Sequence, residues 1–431
     1  MKPVRIGIFI LIAFTVLAFG AVEEWSQAVL EFGAALMLVY WAIQLYLRDS
    51  PQMVVSPLFL PLAAFAFVVL GQLIFHTTAS QYHTRIELQL LIAYLILLHL
   101  MSQVYQRGSH WRTFIWFLMS LGFFVSLFGI LQYLTFDGKL YWFRELHYGG
   151  IPFGPYVNRN HFAGFAELVI PLAVVPMALG MVRRQRLPLV GVFAVVPTMA
   201  LFLSASRGGI ISFAVELLIL FMLMLIRRIR TKYMLATAVI VLVALLGLSL
   251  IGVQRVLDRF VNSKTAEVTA GKRPAMRHDT WRIFLDHSVI GTGLGTLQIV
   301  FPPYDSLYDG RVVNHAHNDY LELLAETGVL GGLCCAWFLG VLFLEALKWF
   351  RKLQTSFNSA INLAGLLGCC GILVHSLVDF NLHIPANALL FFVAAHLATA
   401  KIQTESATMP KGVSRRHRAS KQSRIGAEQP V

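Results

Sequence analysis

Charged residues are scarce in this sequence. They make up 13% of its 431 residues, whereas hydrophobic residues make up 57% and the mean hydropathy is +0.68. Because soluble domains carry about a quarter charged residues, this composition excludes an ordinary soluble protein and indicates a chain that lies in lipid. Acidic residues are the scarcer of the two signs, 22 against 35 basic ones. The positions of the basic residues along the chain are therefore informative.

Cysteine is also rare, with four residues in two adjacent pairs, Cys334–Cys335 and Cys369–Cys370. Neighbouring cysteines rarely bridge each other and no C-x-x-C spacing occurs, so packing is favoured over metal or redox chemistry. The glycine-rich "GTGLGT" at 291–296 has no lysine after it and no strand before it, which argues against a nucleotide site. The absence of an internal repeat argues against a transporter, because transporters commonly consist of matched halves.

Long apolar runs, by contrast, fill most of the chain. Roughly 20 apolar residues cross about 30 Å of hydrocarbon as a helix, and about twelve runs reach that length. A helix also satisfies the hydrogen bonds of its own backbone, as lipid requires. The sequence therefore predicts an all-α polytopic membrane protein with about twelve transmembrane helices and a large, partly helical external loop.

The connections between these runs alternate in charge. Basic clusters such as "RRQR" and "RRIRTK" follow every second run, and the positive-inside rule then puts both termini in the cytoplasm. The predicted regions are N-terminal transmembrane helices at 1–134, an external loop at 135–161, central transmembrane helices at 162–252, a large external loop at 253–321, C-terminal transmembrane helices at 322–401 and a basic cytoplasmic tail at 402–431. The large loop is itself basic, with Arg255, Arg259, Lys264, Lys272, Arg273, Arg277, Arg282 and Arg311.

Unusual polar groups collect at the predicted outer ends of the runs. They lie in "YVNRNHFAG" (Arg159, Asn160, His161), "SASRGG" (Arg207), "RPAMRHDTWRIF" (Arg277, Arg282), "HAHNDYLELL" (His315, His317, Asn318) and "DFNLHIPAN" (Asp379, His383). Five stretches that are far apart in sequence but share one membrane face are stronger evidence for a site than any one of them. The sequence therefore predicts a single site at the outer face.

The arginines of these stretches suit an anionic ligand. An arginine at the outer end of an apolar run is unfavourable unless it reaches water or meets an anion. The small residues around Arg207 leave room for a headgroup, and a guanidinium binds phosphate or diphosphate well, although an internal salt bridge is an alternative. Arg277 and Arg282 flank Trp281, which indicates either arginine packing on the indole or a helix that lies on the bilayer surface.

The histidines of "HAHNDYLELL" precede a segment with a helical pattern. Asp319 followed by Glu322 resembles a capping box, which predicts Asp319 as the N-cap of that helix. A histidine held before the helix can act as a base, since its ordinary pKa lies near the working pH. The alternatives are buried structural histidines, or a metal site completed by Asp379 or His383.

Together, these five stretches resemble the O-antigen ligase family, a superfamily of bacterial inner-membrane enzymes that also contains O-antigen polymerases and protein O-oligosaccharyltransferases. The resemblance covers roughly residues 155–390. It implies a glycan donor on a lipid diphosphate, usually undecaprenyl, and an acceptor hydroxyl on lipid A–core or on a polysaccharide. It further implies periplasmic external loops, membrane lipids as partners, no nucleic acid, no cofactor and no metal.

The resemblance also assigns roles to residues. Arg207 matches the arginine after the serine-rich end of a span, Arg277 matches the arginine before the loop tryptophan, and His317 matches the family histidine. These three are the predicted catalytic residues. The predicted substrate-binding residues are Arg159, Asn160, His161, Arg282, His315, Asn318, Asp379 and His383. Since no carboxylate pair suited to a double displacement is evident, a single, inverting displacement is expected.

Several functions remain open at this point. An O-antigen ligase acting on lipid A–core is favoured, and an O-antigen or exopolysaccharide polymerase of the same superfamily is the main alternative. A protein acceptor is disfavoured because no sizeable external region follows the last apolar run. A polysaccharide-lipid transporter is the alternative from another class.

Overall fold

A computed structural model describes residues 1–47, 53–146, 151–229, 231–251, 268–308, 310–351 and 357–401. The predicted tail at 402–431 lies outside these residues, as do the basic residues Arg255, Arg259 and Lys264 of the large loop. The described chain is helical, and its only β-structure is two isolated bridges, Leu140 with Arg144 and Phe153 with Tyr156. The prediction of an all-α polytopic membrane protein is confirmed.

The helices follow the apolar runs. They are α1 Lys2–Leu17, α2 Glu24–Tyr46, α3 Phe59–Ile74, α4 Gln81–Val104, α5 Gly108–Leu134, α6 Arg159–Ala178, α7 Leu187–Leu203, α8 Arg207–Ile226, α9 Thr231–Ile251, α10 Val268–Asp286, α11 Leu297–Val300, α12 Asp319–Arg351, α13 Phe357–His375 and α14 Pro385–Thr399. Within the described ranges, eight helices are long and apolar enough to cross a membrane. This number is below the predicted twelve, partly because α3 and α14 have only 16 and 15 residues.

Helix α6 lies in the middle of the bundle. It packs against α5, α7, α8, α13 and α14, and nearly all of its residues are buried. Its polar start includes Asn160 and His161, and the start of α8 lies against the end of α13, where Gly208 abuts His375.

The large loop between α9 and α12, predicted to be external, is tied to the bundle at its base. The side-chain amide of Gln72 at the end of α3 donates to the carbonyls of Ile290 and Glu326, both at 2.7 Å, and its oxygen accepts from the backbone N–H of Leu294 at 3.2 Å. Helix α12 kinks at Gly328, where φ is +62° and an added Cβ would lie 2.3 Å from the carbonyl oxygen of Val289. Only glycine fits there, since this backbone region excludes most other residues and the loop backbone leaves no space.

The loop also has a small core of its own. Ile283, Leu297, Phe301, Ala316 and Ala325 form a buried cluster that joins α10 and α11 to the start of α12. The segment after α11 is fixed on α10, because the buried carboxylate of Asp279 accepts hydrogen bonds from both the backbone N–H and the hydroxyl of Ser306. The loop therefore holds its polar residues against the bundle on a folded support.

Candidate active site

Asp379, in the turn between α13 and α14, is the centre of the polar residues at this end of the bundle. Its side chain is 2% exposed. The Asn160 amide donates to its Oδ2 at 2.5 Å, Nδ1 of His317 lies 3.3 Å from its Oδ1, and Nη2 of Arg273 lies 3.9 Å from Oδ2. We call these four residues the Asp379 group. They bring together α6, α10, the approach to α12 and the turn after α13.

The Asp379 carboxylate stays ionised in this setting. Burial alone would raise the pKa of Asp379, but the hydrogen bond with His317 and the electrostatic interactions with His161, His317 and the Arg273 guanidinium hold it below its ordinary value. An ionised carboxylate at Nδ1 keeps the proton on that nitrogen, which leaves Nε2 of His317 with a free lone pair. A neutral imidazole in this tautomer can accept a proton at Nε2.

The backbone holds His317 in an unusual conformation. Its φ is +51°, in the left-handed region that costs a non-glycine residue about 1–2 kcal/mol. The next residue, Asn318, fixes this turn, because its side-chain oxygen accepts from Leu321 N–H at 3.0 Å and its amide donates to the carbonyl of Leu377 at 3.0 Å. The Asn318 side chain thus caps α12, and its role in substrate binding stays a prediction.

The prediction that Asp319 is the N-cap of α12 is wrong. Asp319 is the first residue of the helix, and its carboxylate accepts instead from Nδ1 of His383 at 2.7 Å and from the backbone N–H of Leu382 at 3.2 Å. Asparagine and aspartate cap helices about equally well, so two adjacent candidates could not be separated by sequence.

A second histidine–carboxylate cluster lies beside the Asp379 group. Nδ1 of His315 lies 2.7 Å from Oε1 of Glu322, whose Oε2 accepts from the backbone N–H of Ala316 at 2.8 Å. His383 joins Asp319 to Glu322, with its Nε2 3.4 Å from Oε1. We call His315, Asp319, Glu322 and His383 the Glu322 group. Burial would lower the pKa of His383, but the carboxylates of Glu322 and Asp319 outweigh it and raise that pKa well above its ordinary value.

Phe380 separates the two groups. The His315 ring stacks on it at 4.1 Å, and the rings of His317 and His161 meet it edge-on at 5.0 Å and 4.8 Å. Three predicted histidines thus share one aromatic neighbour that the sequence analysis did not single out. Its position directly after Asp379 was visible, but no periodicity indicated that it faces the histidines.

The Glu322 group could hold a metal ion. One ligand atom from each of His315, Glu322 and His383 lies within 4.8 Å of the others. Nδ1 of His315 and Oε1 of Glu322 already lie 2.7 Å apart, within hydrogen-bond distance. The expectation of metal independence stays a prediction.

Arg207 lies at the first residue of α8, on the same side as Asp379. Ser206 caps this helix by accepting from the backbone N–H of Gly209 at 3.2 Å. Gly208 abuts the end of α13, since an added Cβ would lie 2.6 Å from Nε2 of His375 and 3.1 Å from the side chain of Val378. His375 is itself bonded to Glu167 of α6 at 2.8 Å, and this buried pair lies beneath the start of α8.

Arg273 and Arg277 follow each other on one side of α10, and Arg282 lies on another side. Arg273 donates to the carbonyl of Val378 at 3.3 Å besides facing Asp379, whereas Nε of Arg277, one turn later, donates to the carbonyl of Arg273 at 3.3 Å. The Arg282 guanidinium lies 5.7 Å from the Tyr304 ring. Arg273 opens the stretch "RPAMRHDTWRIF", but it was predicted only as a basic residue of the loop and not as a site residue. A single helical turn separates it from the predicted Arg277.

Residues 190–336 match the family model described as O-antigen ligase, whereas no curated protein matches the chain. The matched region contains Arg207, Arg277 and His317, while Asp379 and Asn160 lie outside it. The match agrees with the resemblance carried by the motifs and supports a glycosyltransferase that acts with lipid-linked glycans and polysaccharides. It supports membership of this chain in the O-antigen ligase superfamily.

Proposed function

We propose that this protein moves a glycan from an undecaprenyl-type diphosphate to an acceptor hydroxyl at the periplasmic face of the bacterial inner membrane. The favoured acceptor is lipid A–core, which makes the enzyme an O-antigen ligase. The observation that carries the proposal is the His317–Asp379 pair, 3.3 Å apart, with Arg273 at the same carboxylate and the start of α8 beside it.

The orientation is supported by the charge at the two ends of α6. The Asp379 group meets the start of this helix, whereas the basic turn Arg184–Arg186 follows its other end. Because basic clusters favour the cytoplasmic side, the Asp379 group belongs on the periplasmic side. Two cytoplasmic termini are part of the same proposal.

In the proposed reaction, His317 accepts the proton of the acceptor hydroxyl through Nε2. Asp379 bonds to Nδ1, keeps the ring in the productive tautomer and stabilises the imidazolium that forms. The acceptor oxygen bonds to the anomeric carbon while the bond from that carbon to the diphosphate oxygen breaks. General-base assistance of this kind is worth about 10²–10⁴ in rate.

The leaving polyprenyl diphosphate gains negative charge as this bond breaks. Arg207 and Arg277, together with Arg273, supply fixed positive charge for it, and guanidinium groups bind phosphate oxygens in a bidentate manner. The proposed reaction therefore needs no metal. A single displacement of this kind inverts the anomeric configuration.

The test is a reaction with purified protein in chelator, with polyprenyl-diphosphate-linked glycan and with or without lipid A–core. Acceptor-dependent transfer of intact glycan is expected, and the products are resolved by gel electrophoresis and mass spectrometry. A ladder of longer lipid-linked chains without added acceptor would identify a polymerase instead. Movement of the glycan-lipid across liposomes without consumption would overturn the enzyme proposal.

A further inference from the structure

We propose that one side of α10 binds the polyprenyl chain of the lipid-diphosphate donor, an inference that rests on the proposed function. Residues four apart are neighbours on a helix, and Arg273, Arg277, Trp281 and Leu285 follow one another at this spacing, with Val289 in the turn after the helix. Two cationic side chains are thus followed by three apolar ones. We call Trp281, Leu285 and Val289 the apolar strip.

The apolar strip is exposed although it lies in an external loop. Trp281, Leu285 and Val289 are 43%, 55% and 63% exposed, whereas Ile283 on the other side of α10 is fully buried in the core of the loop. Contiguous exposed apolar side chains in a soluble loop are a liability. A tryptophan and aliphatic residues on one side of an external helix are typical of contact with the lipid interface.

The apolar strip continues onto a membrane-spanning helix. The carbonyls of Ser288 and Val289 accept hydrogen bonds from the backbone N–H groups of Val329 and Leu330 in α12, at 2.8 Å and 3.3 Å. Val329 and Leu330 are both 44% exposed, and Leu333, one turn further, is 62% exposed. An apolar surface therefore runs from the middle of α10 to the lipid-facing side of α12.

The other end of the row reaches the candidate active site. Arg273 contacts Asp379 and the carbonyl of Val378, so a ligand whose anionic end meets Arg273 and Arg277 lies beside His317. A polyprenyl diphosphate has this layout, with two phosphates at one end of a long branched hydrocarbon. A bulk phospholipid needs no pair of arginines and no path that leads to the site, so this row fits the donor better.

The experiment compares two donors that carry the same glycan, one on a full-length polyprenyl diphosphate and one on a short, water-soluble prenyl diphosphate. Trp281→Ala and Leu285→Ser should each raise KM for the long-chain donor about tenfold, because each removes apolar surface that the polyprenyl chain would cover. The KM for the short-chain donor should not change. Ile299→Ser, at a loop residue that is 41% exposed and not part of the strip, is the matched control and should change neither KM.

Equal effects on both donors, or no effect on either, would overturn the apolar strip as a binding site. If the wild-type protein transferred glycan from neither donor, the proposed function itself would be wrong. A variant that fails to fold is recognised by size-exclusion chromatography, and Leu285→Cys with an environment-sensitive fluorophore then gives a second readout in nanodiscs. Glycan-free polyprenyl diphosphate should change its emission at a concentration at which added phospholipid does not, and an equal response to phospholipid would also overturn the proposal.

Discussion

Two histidine–carboxylate pairs lie side by side in this protein, and hydrogen-bond length alone would favour His315 as the base over the proposed His317. His315 is closer to Glu322, at 2.7 Å, than His317 is to Asp379, at 3.3 Å. The difference lies in what else each carboxylate contacts. Besides His383, Glu322 binds Ala316 of its own loop and thereby closes that loop on α12, whereas Asp379 also binds residues of α6 and α10. The other partners of the carboxylate therefore distinguish the two histidines better than the histidine–carboxylate distance does.

The largest expected effect separates the two histidines. His317→Ala should reduce glycan transfer by about 10²–10⁴, because the proton acceptor is lost, whereas His315→Ala should cost much less. Initial rates of transfer in vitro measure both, with membrane insertion and protein level as controls. An inactive His315→Ala together with an active His317→Ala would reverse the assignment.

A smaller effect separates two arginines of α10. Arg273→Ala should lower transfer by about 10²-fold, since it loses both a partner of Asp379 and a charge for the leaving diphosphate. Arg277→Ala should lower it through the diphosphate alone, and Arg273→Lys should restore only part of the rate, because lysine lacks the planar fork. If Arg273→Ala retained full activity, the contact between Arg273 and Asp379 would have no role in transfer.

The Glu322 group and the Asp379 group should differ in whether they matter more for stability or for activity. Glu322→Gln leaves His315 and His383 beside a neutral side chain, and breaking a buried charged cluster of this kind costs about 3–5 kcal/mol. It should therefore lower the melting temperature more than Asp379→Asn does, while Asp379→Asn should reduce transfer more at a temperature at which both variants are folded. The same ranking in both measurements would mean that the two groups share one role.

Acid should remove the contribution of ionised Asp379 to the stability of the folded protein, which we expect to be worth a few degrees of melting temperature. The pKa of Asp379 is lower in the folded protein than its ordinary value, so its contribution is full above that ordinary value and is lost as pH falls through the folded one. The melting temperatures of wild-type protein and Asp379→Asn, each measured as a function of pH, should therefore converge towards low pH. Curves that stay parallel down to strong acid would contradict an ionised Asp379 in the folded state.

The smallest expected effect is that of a chelator, which should leave transfer unchanged since arginines supply the positive charge. If EDTA abolished activity and zinc restored it, the Glu322 group would be the first place to look, because His315, Glu322 and His383 have ligand atoms within 4.8 Å of one another. Metal content of wild-type protein and Glu322→Gln would then decide whether that group holds the ion.

The helical fold could be predicted because lipid leaves few choices for an apolar run of about 20 residues. The number of spans was less predictable, since α3 and α14 are apolar but short. The convergence of five polar stretches followed from their shared membrane side, and contacts such as Asn160 with Asp379 and Asp319 with His383 bring residues of these stretches together.

The pairing inside the site could not be predicted. His315 and His317 both lie near Phe380, and which of them meets Asp379 depends on the left-handed turn at His317, for which histidine is no strong signal. Arg273 and Arg277 follow each other on one side of the same helix, so spacing cannot tell which one reaches Asp379. These choices are made by loop geometry, which periodicity does not describe.

The bond network of Gln72 has a consequence for the size of the product. By joining Ile290, Leu294 and Glu326, it fixes the base of the loop to the end of α3, next to the helix whose start follows the proposed base His317. A polyprenyl diphosphate presents its first sugar at a constant depth, however many sugars follow. If the proposed active site is held at that depth, it meets only the linkage, and the proposed transfer should not depend on the length of the glycan.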